Sequence, residues 1–328
     1  MSDPQTRPLV VLGEVRTCLV PDSAALSQGV VQDLLALVPG RRVVSRSRPV
    51  ALASSPSTAI GVDCRLATAS GTTLRAVGTA AAKAVVVGGR VLQSSVHTGV
   101  VRSFSTRRQA WSHYLGRAGV TEVLTRVSDG DRVGADLVEA VMLSGVPPPE
   151  TLDLGSISEH LLRRVRMNAA LDQRVPFVAE TTRLRWAARV VPDAQPSLRF
   201  LLDDEARRCA IVTVGDEREL AVVPRFCEDL ALHDWLLTVV GAEIERADLL
   251  THNGSESVKI VATMLEHVVH LWLPGAHSPA ALRGVWRQLE SDPGFSRQWE
   301  SRIYQLRDRL SVATLSALYQ ADLSRTNW

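Results

Sequence analysis

"KAVVVGGRVLQSSV", Lys83 to Val96, decides how the first third of this chain folds. Two runs rich in β-branched and apolar residues flank Gly88-Gly89. A glycine pair supplies the positive φ that a tight hairpin turn demands, and β-branched side chains suit a pleated surface. The stretch predicts two antiparallel strands joined by a short turn. Working outward, "LVVLGEVRTCLV" from Leu9, "RRVVSRSRPVALA" and "TAIGVDCRLAT" predict three more strands, and "HTGVVRSF" extends the meander. A helix is expected in "SAALSQGVVQDLLALVPG". Ser23 caps it, Leu26, Val30, Leu34 and Leu37 fall at helical spacing, and Pro39-Gly40 ends it. A short helix in "RRQAWSHYLGRAG" and a mixed stretch to about Gly145 close this region.

"VPPPE", Val146 to Glu150, reads as a boundary. Three consecutive prolines neither continue a helix nor donate to a sheet, and they favour a stiff extended connection. The expected division is a β-rich domain over 1–146, a connector at 147–150 and a second domain over 151–328. The second opens with a helix, "SEHLLRRVRMNAALDQR". Four strands are then expected: "TRLRWAARVV", "SLRFLLDD", "RRCAIVTVG" and "RELAVVP". The short polar breaks between them imply antiparallel neighbours. From Phe226 the pattern is helical, roughly 226–246, 255–273, 278–291 and 295–323. Trp299, Ile303, Leu306, Leu310 and Ala313 make one apolar face of the last helix. The fold class expected is α+β: a β-rich N-terminal domain with a hairpin and meander, a small antiparallel sheet, and a C-terminal helical bundle.

Composition narrows the function classes. The chain has 328 residues, is 45% apolar and carries a formal charge of +2. It can bury a sizeable core, and it lacks the strongly basic balance of a dedicated nucleic-acid binder. Lys83 and Lys259 are the only lysines. The four cysteines are scattered without a CxxC pair, which argues against a zinc knuckle or thioredoxin-like site and suits a reducing cytoplasm. "MSDPQTRPLVVLGEV" has no secretory pattern, and no apolar run approaches the ~20 residues of a membrane span.

Several clusters could carry chemistry. "EHVVH" puts Glu266, His267 and His270 on one sector of a helix, and zinc accepts such ligands, with His277 or His233 as a fourth. The spacing is neither H-E-x-x-H nor H-x-x-E-H. "CEDLALHDWLL", Cys227 to Leu237, holds a thiol, three carboxylates and an imidazole. On a helical wheel Cys227 and His233 point to different sides, so a Cys–His pair is poor geometry. A helix start is expected instead, with Leu230, Leu236 and Leu237 buried, Glu228 exposed, and His233 on the packed face beside Asp229. "GTAAAK", Gly78 to Lys83, lacks the second glycine and Ser/Thr of a phosphate loop. "SSVHTG", Ser94 to Gly99, has no nucleophile elbow. Arg163, Arg164 and Arg166 read as a solvated face. Trp235, Trp272, Trp286 and Trp299 suit core packing. Where Trp and Arg recur together, Trp286, Arg287, Trp299 and Arg302 are candidates for a partner-binding face.

The stretches "VLGEVRTCLV", "GGRVLQSSVHT", "EDLALHDWLL", "HLWLPG" and "PGFSRQWE" resemble those of an actinomycete, streptomycete-type protein family with no assigned activity. The resemblance implies a bacterial cytoplasmic protein encoded beside others, a divergent P-loop protein among them. The expectation is a non-enzymatic interaction or scaffold protein in a bacterial multi-protein system. It needs no cofactor and binds a protein partner, such as a neighbouring gene's product, through its C-terminal helices. The alternative is a hydrolase of unfamiliar type, metal-dependent through Glu266, His267 and His270.

Overall fold

The computed structural model of the protein describes residues 7–143, 150–249 and 254–326. The first part comprises β1 (Val10–Leu19), α1 (Gln28–Leu35), β2 (Val44–Arg46), β3 (Leu52–Ser54), β4 (Thr58–Ala67), β5 (Thr73–Val87), β6 (Val91–Arg102), α2 (Trp111–Leu115), β7 (Val120–Val123) and α3 (Gly130–Met142). Then come α4 (Leu154–Arg166), β8 (Thr182–Val190), β9 (Ser197–Leu202), β10 (Arg207–Val214) and α5 (Glu217–Leu220). The helices α6 (Val223–Leu249), α7 (Gly254–Val268), α8 (Arg283–Ser291) and α9 (Phe295–Thr326) finish the described chain. The fold is α+β.

The expected hairpin is β5–β6. Val87 stands opposite Val91, and Gly88 and Gly89 take φ of 59° and 65°. A side chain at Gly89 would also meet the Leu26 carbonyl oxygen at 2.4 Å, so the approach of the preceding loop demands glycine a second time. Beyond the hairpin, β7 wedges between the two strands. It lies antiparallel to β5 at Ala76–Gly78 and parallel to β6 at Gly99–Arg102.

All ten strands form one sheet, in the order β2-β3-β5-β7-β6-β1-β8-β10-β9, with β4 also on β5. This corrects the expected division into 1–146 and 151–328. β1 is hydrogen-bonded to β6 on one side and β8 on the other, from Val11 opposite Ala188 to Thr17 opposite Thr182. No separate small antiparallel sheet exists among the described residues; β8–β10 continue the N-terminal one. The prolines 147–149 lie outside the described residues. β10 runs parallel to β8 and antiparallel to β9. Its apolar run Cys209–Val212 is buried on both faces, which suits an interior position, while the more exposed β9 takes the edge.

The sheet has helices on both faces. Val11, Val15 and Leu19 of β1, Leu184 and Trp186 of β8, and Ala210 and Val212 of β10 pack under α6 with side chains of α7, α8 and α9. On the other face, Leu92 and Val96 meet α4 through Leu161, Leu162 and Val165, and Val10, Val100 and Ile211 meet α3 through Leu137 and Val138. Each core therefore draws on both halves of the chain.

Three local readings are also corrected. Ser27, not Ser23, caps α1, its hydroxyl accepting from Val30 N–H. "RRVVSRSRPVALA" splits into β2 and β3 on either side of Pro49. "RELAVVP" is α5 and the start of α6. Asp216 caps α5, and the Glu219 carboxylate accepts from the Gly215 and Asp216 N–H groups. That reciprocal capping box, D-E-R-E, was legible in the sequence.

Candidate functional site

The Glu266, His267 and His270 cluster does not form. The expected helix to 273 stops at Val268 and tightens into a 3-10 turn at Val269–Leu271, which breaks the four-residue alignment of Glu266 with His270. Glu266 and His270 are exposed, and His267 rests edge-on against Phe177 with ring centroids 6.4 Å apart. Among the described residues no three His, Cys, Asp or Glu side chains converge on a cation position. His233, one suggested fourth ligand, uses both ring nitrogens. Nδ1 donates to the Asp229 carbonyl at 2.7 Å, and Nε2 accepts from Leu273 N–H at 3.2 Å. Burial lowers its pKa to about 4, which keeps the ring neutral.

The Trp–Arg surface is corrected as well. Trp286 and Trp299 are only 5% and 6% exposed. Trp299 stacks on Trp272 at 4.4 Å, and Trp286 stands edge-on to Phe226, His233 and Phe295. These rings close the core between α6, α8 and α9. Arg302 is half-buried and donates to the Leu237 carbonyl, while Arg287 alone of the four is exposed. The solvated face expected at Arg163, Arg164 and Arg166 is exposed.

"CEDLALHDWLL" lies wholly inside α6. Leu230, Leu236 and Leu237 are buried as expected, but so is Glu228. It reaches across the sheet face to Lys83 on β5, whose Nζ lies 2.9 and 3.0 Å from its two oxygens. Asp229 accepts from the Ser278 hydroxyl at 2.7 Å, and Asp234 pairs with Arg208 of β10 at 2.8 Å. The Cys227 thiol is fully buried, and desolvation pushes its pKa well up, so it is no nucleophile. All four cysteines are free thiols. Glu14 of β1 is likewise buried, between Arg16 and Arg183 at 3.0 and 2.8 Å. Every carboxylate named here except Asp229 meets a cation from a distant segment, a pairing that local spacing does not announce.

The exposed apolar surface lies further along α9. Its first turns bury Trp299, Ile303 and Leu306. Tyr304, Val312, Leu315, Leu318 and Tyr319 are instead 62–68% exposed. At 100° per residue these five fall within a sector of about 120°, facing away from the buried stripe. From Ser311 to Ala321 the sequence holds no charged residue. In the sequence the two stripes adjoin: Val312, Leu315, Leu318 and Tyr319 form a second apolar stripe after that of Trp299, Ile303, Leu306 and Leu310. No helix among the described residues is long and apolar enough to cross a membrane. Set against family models, curated proteins and solved structures, the chain matches none of them.

Proposed function

We propose that this chain is a protein-binding component of a bacterial multi-protein system, acting in the cytoplasm, and that it docks a partner with the outer face of α9. The observation that carries this reading is the cluster of four exposed apolar side chains, Val312, Leu315, Leu318 and Tyr319, in the uncharged stretch of α9 that follows the turns packed through Trp299, Ile303 and Leu306. Contiguous exposed apolar surface of this kind marks interaction sites, and an amphipathic helix docks by laying such a stripe into an apolar groove. The partner is a different protein with a helix-binding groove, the product of an adjoining gene being the first to try. The resemblance to a streptomycete-type family supports that setting. Trp286 and Trp299 are buried, so the surface offered is the outer face of α9.

The test compares wild type with the double variant Leu315→Asp/Leu318→Asp in pull-downs with co-expressed products of adjoining genes. Retention by wild type, lost in a variant with an unchanged melting temperature, is the expected result. Equal retention by both proteins, or none by either, overturns it. Sedimentation of wild type alone provides a second check: a stable dimer abolished by the same substitutions makes the occupant a second copy and also overturns it.

A further inference from the structure

Between the β2–β3–β5 end of the sheet and the first turns of α6 lies a cavity of about 280 Å³. Its charged and titratable lining is Arg46 of β2, Lys83 of β5, Arg225, Glu228 and Asp229 of α6, and His277. Lys83 is neutralised by Glu228. Neither Arg46 nor Arg225 forms an ion pair or a side-chain hydrogen bond among the described residues, although they come from separate elements to the same cavity. Two guanidinium groups repel each other, and desolvation together with Arg46 lowers the pKa of Arg225, against the opposing pull of Glu228 and Asp229. An anion between them relieves that repulsion, and the planar fork of each arginine matches two oxygens of a carboxylate or phosphate. Asp229, which also lines the cavity, is already engaged: its side chain is fully buried, with Oδ1 3.4 Å from the His233 Nδ1 and Oδ2 held by the Ser278 hydroxyl.

We infer that this cavity is a binding site for a small anionic metabolite. Arg46 and Arg225 clasp its carboxylate or phosphate group. The volume fits a metabolite and is below that of typical drug-sized pockets. The site is separate from the outer face of α9, so its failure leaves the docking proposal standing, and the reverse holds too.

The experiment is calorimetric titration of the full-length protein with inorganic phosphate and, separately, with succinate, at constant ionic strength. The expected result is saturable binding of at least one probe at one site, weakened about tenfold or more in both Arg46→Gln and Arg225→Gln, since each removes a charge-assisted hydrogen bond. Both arginines reach solvent, so the variants should melt as wild type does. Binding of phosphate alone identifies a phosphate ligand, and binding of succinate alone a carboxylate. Saturable binding that persists in both variants, or no saturable binding of either probe at millimolar concentration, overturns the inference.

Discussion

Two helices of this protein contradict their own composition. α6 carries Glu228, Asp229, His233, Asp234 and Glu243, yet all five are buried. The last turns of α9 carry no charge from Ser311 to Ala321, yet Val312, Leu315, Leu318 and Tyr319 face solvent. The difference teaches that a helix is buried by what its neighbours offer. α6 lies across the sheet, where Lys83 and Arg208 stand ready for Glu228 and Asp234; Ser278 serves Asp229, Leu273 N–H serves His233, and Glu243 pairs with Arg246 one turn on. Beyond Leu310, α9 is left with an apolar face that no described element covers. A buried charge survives by pairing; an exposed apolar stripe is the kind of surface that the proposed docking would use.

The contrast can be broken most sharply at Asp234. Replacing it with Ala strands Arg208 in the core and should cost roughly 3–5 kcal/mol in chemical denaturation. A loss below about 1 kcal/mol, the level of a surface pair, would mean that α6 is solvated after all. Next in size is Leu237→Ala, which removes a buried side chain and leaves a cavity, with an expected loss of roughly 2–5 kcal/mol.

A smaller effect is expected from pH. His233 has a pKa of about 4 in the folded protein, against about 6.5 when unfolded. Between those values the unfolded chain binds a proton that the folded one does not, so stability falls as pH drops from about 6.5 towards 4. Asp229 acts with the opposite sign: burial raises its carboxyl to about 6, so its contribution shrinks as pH rises from about 4 to 6. His233→Asn should therefore be less stable at neutral pH but lose less on acidification than wild type. Melting curves across that range decide it, and parallel curves would show that the imidazole is not held neutral.

The smallest effect is the most pointed. Leu315→Ala and Leu318→Ala should change stability by no more than about 0.5 kcal/mol, as exposed positions do. A loss of the size expected for Leu237 would place these leucines in a packed core and sharpen the contrast out of existence.

Much of this was legible in residues close together in the chain. Gly88-Gly89 announced the hairpin because only a turn with two positive φ values joins those strands. The three- and four-residue spacing of Trp299, Ile303, Leu306 and Leu310 announced α9. The position of His233 on the packed face of α6, near Asp229, followed from helical geometry alone. The capping box at Asp216 is equally local, but the β-branched pair in "LAVV" carries a competing strand signal.

What the sequence determined by itself is thus the set of elements whose signal lies within about one turn or one hairpin, together with the α+β class they add up to. Tertiary structure alone decided that β1 joins β6 to β8 and so makes one sheet of two expected domains. It also decided that Lys83 meets Glu228 across 145 residues, and that Arg46 and Arg225 line one cavity. The physical reason is range. Turn, cap and periodicity signals are written in neighbouring backbone and side-chain geometry. Strand order and charge pairing are settled only when distant segments compete for the same buried face.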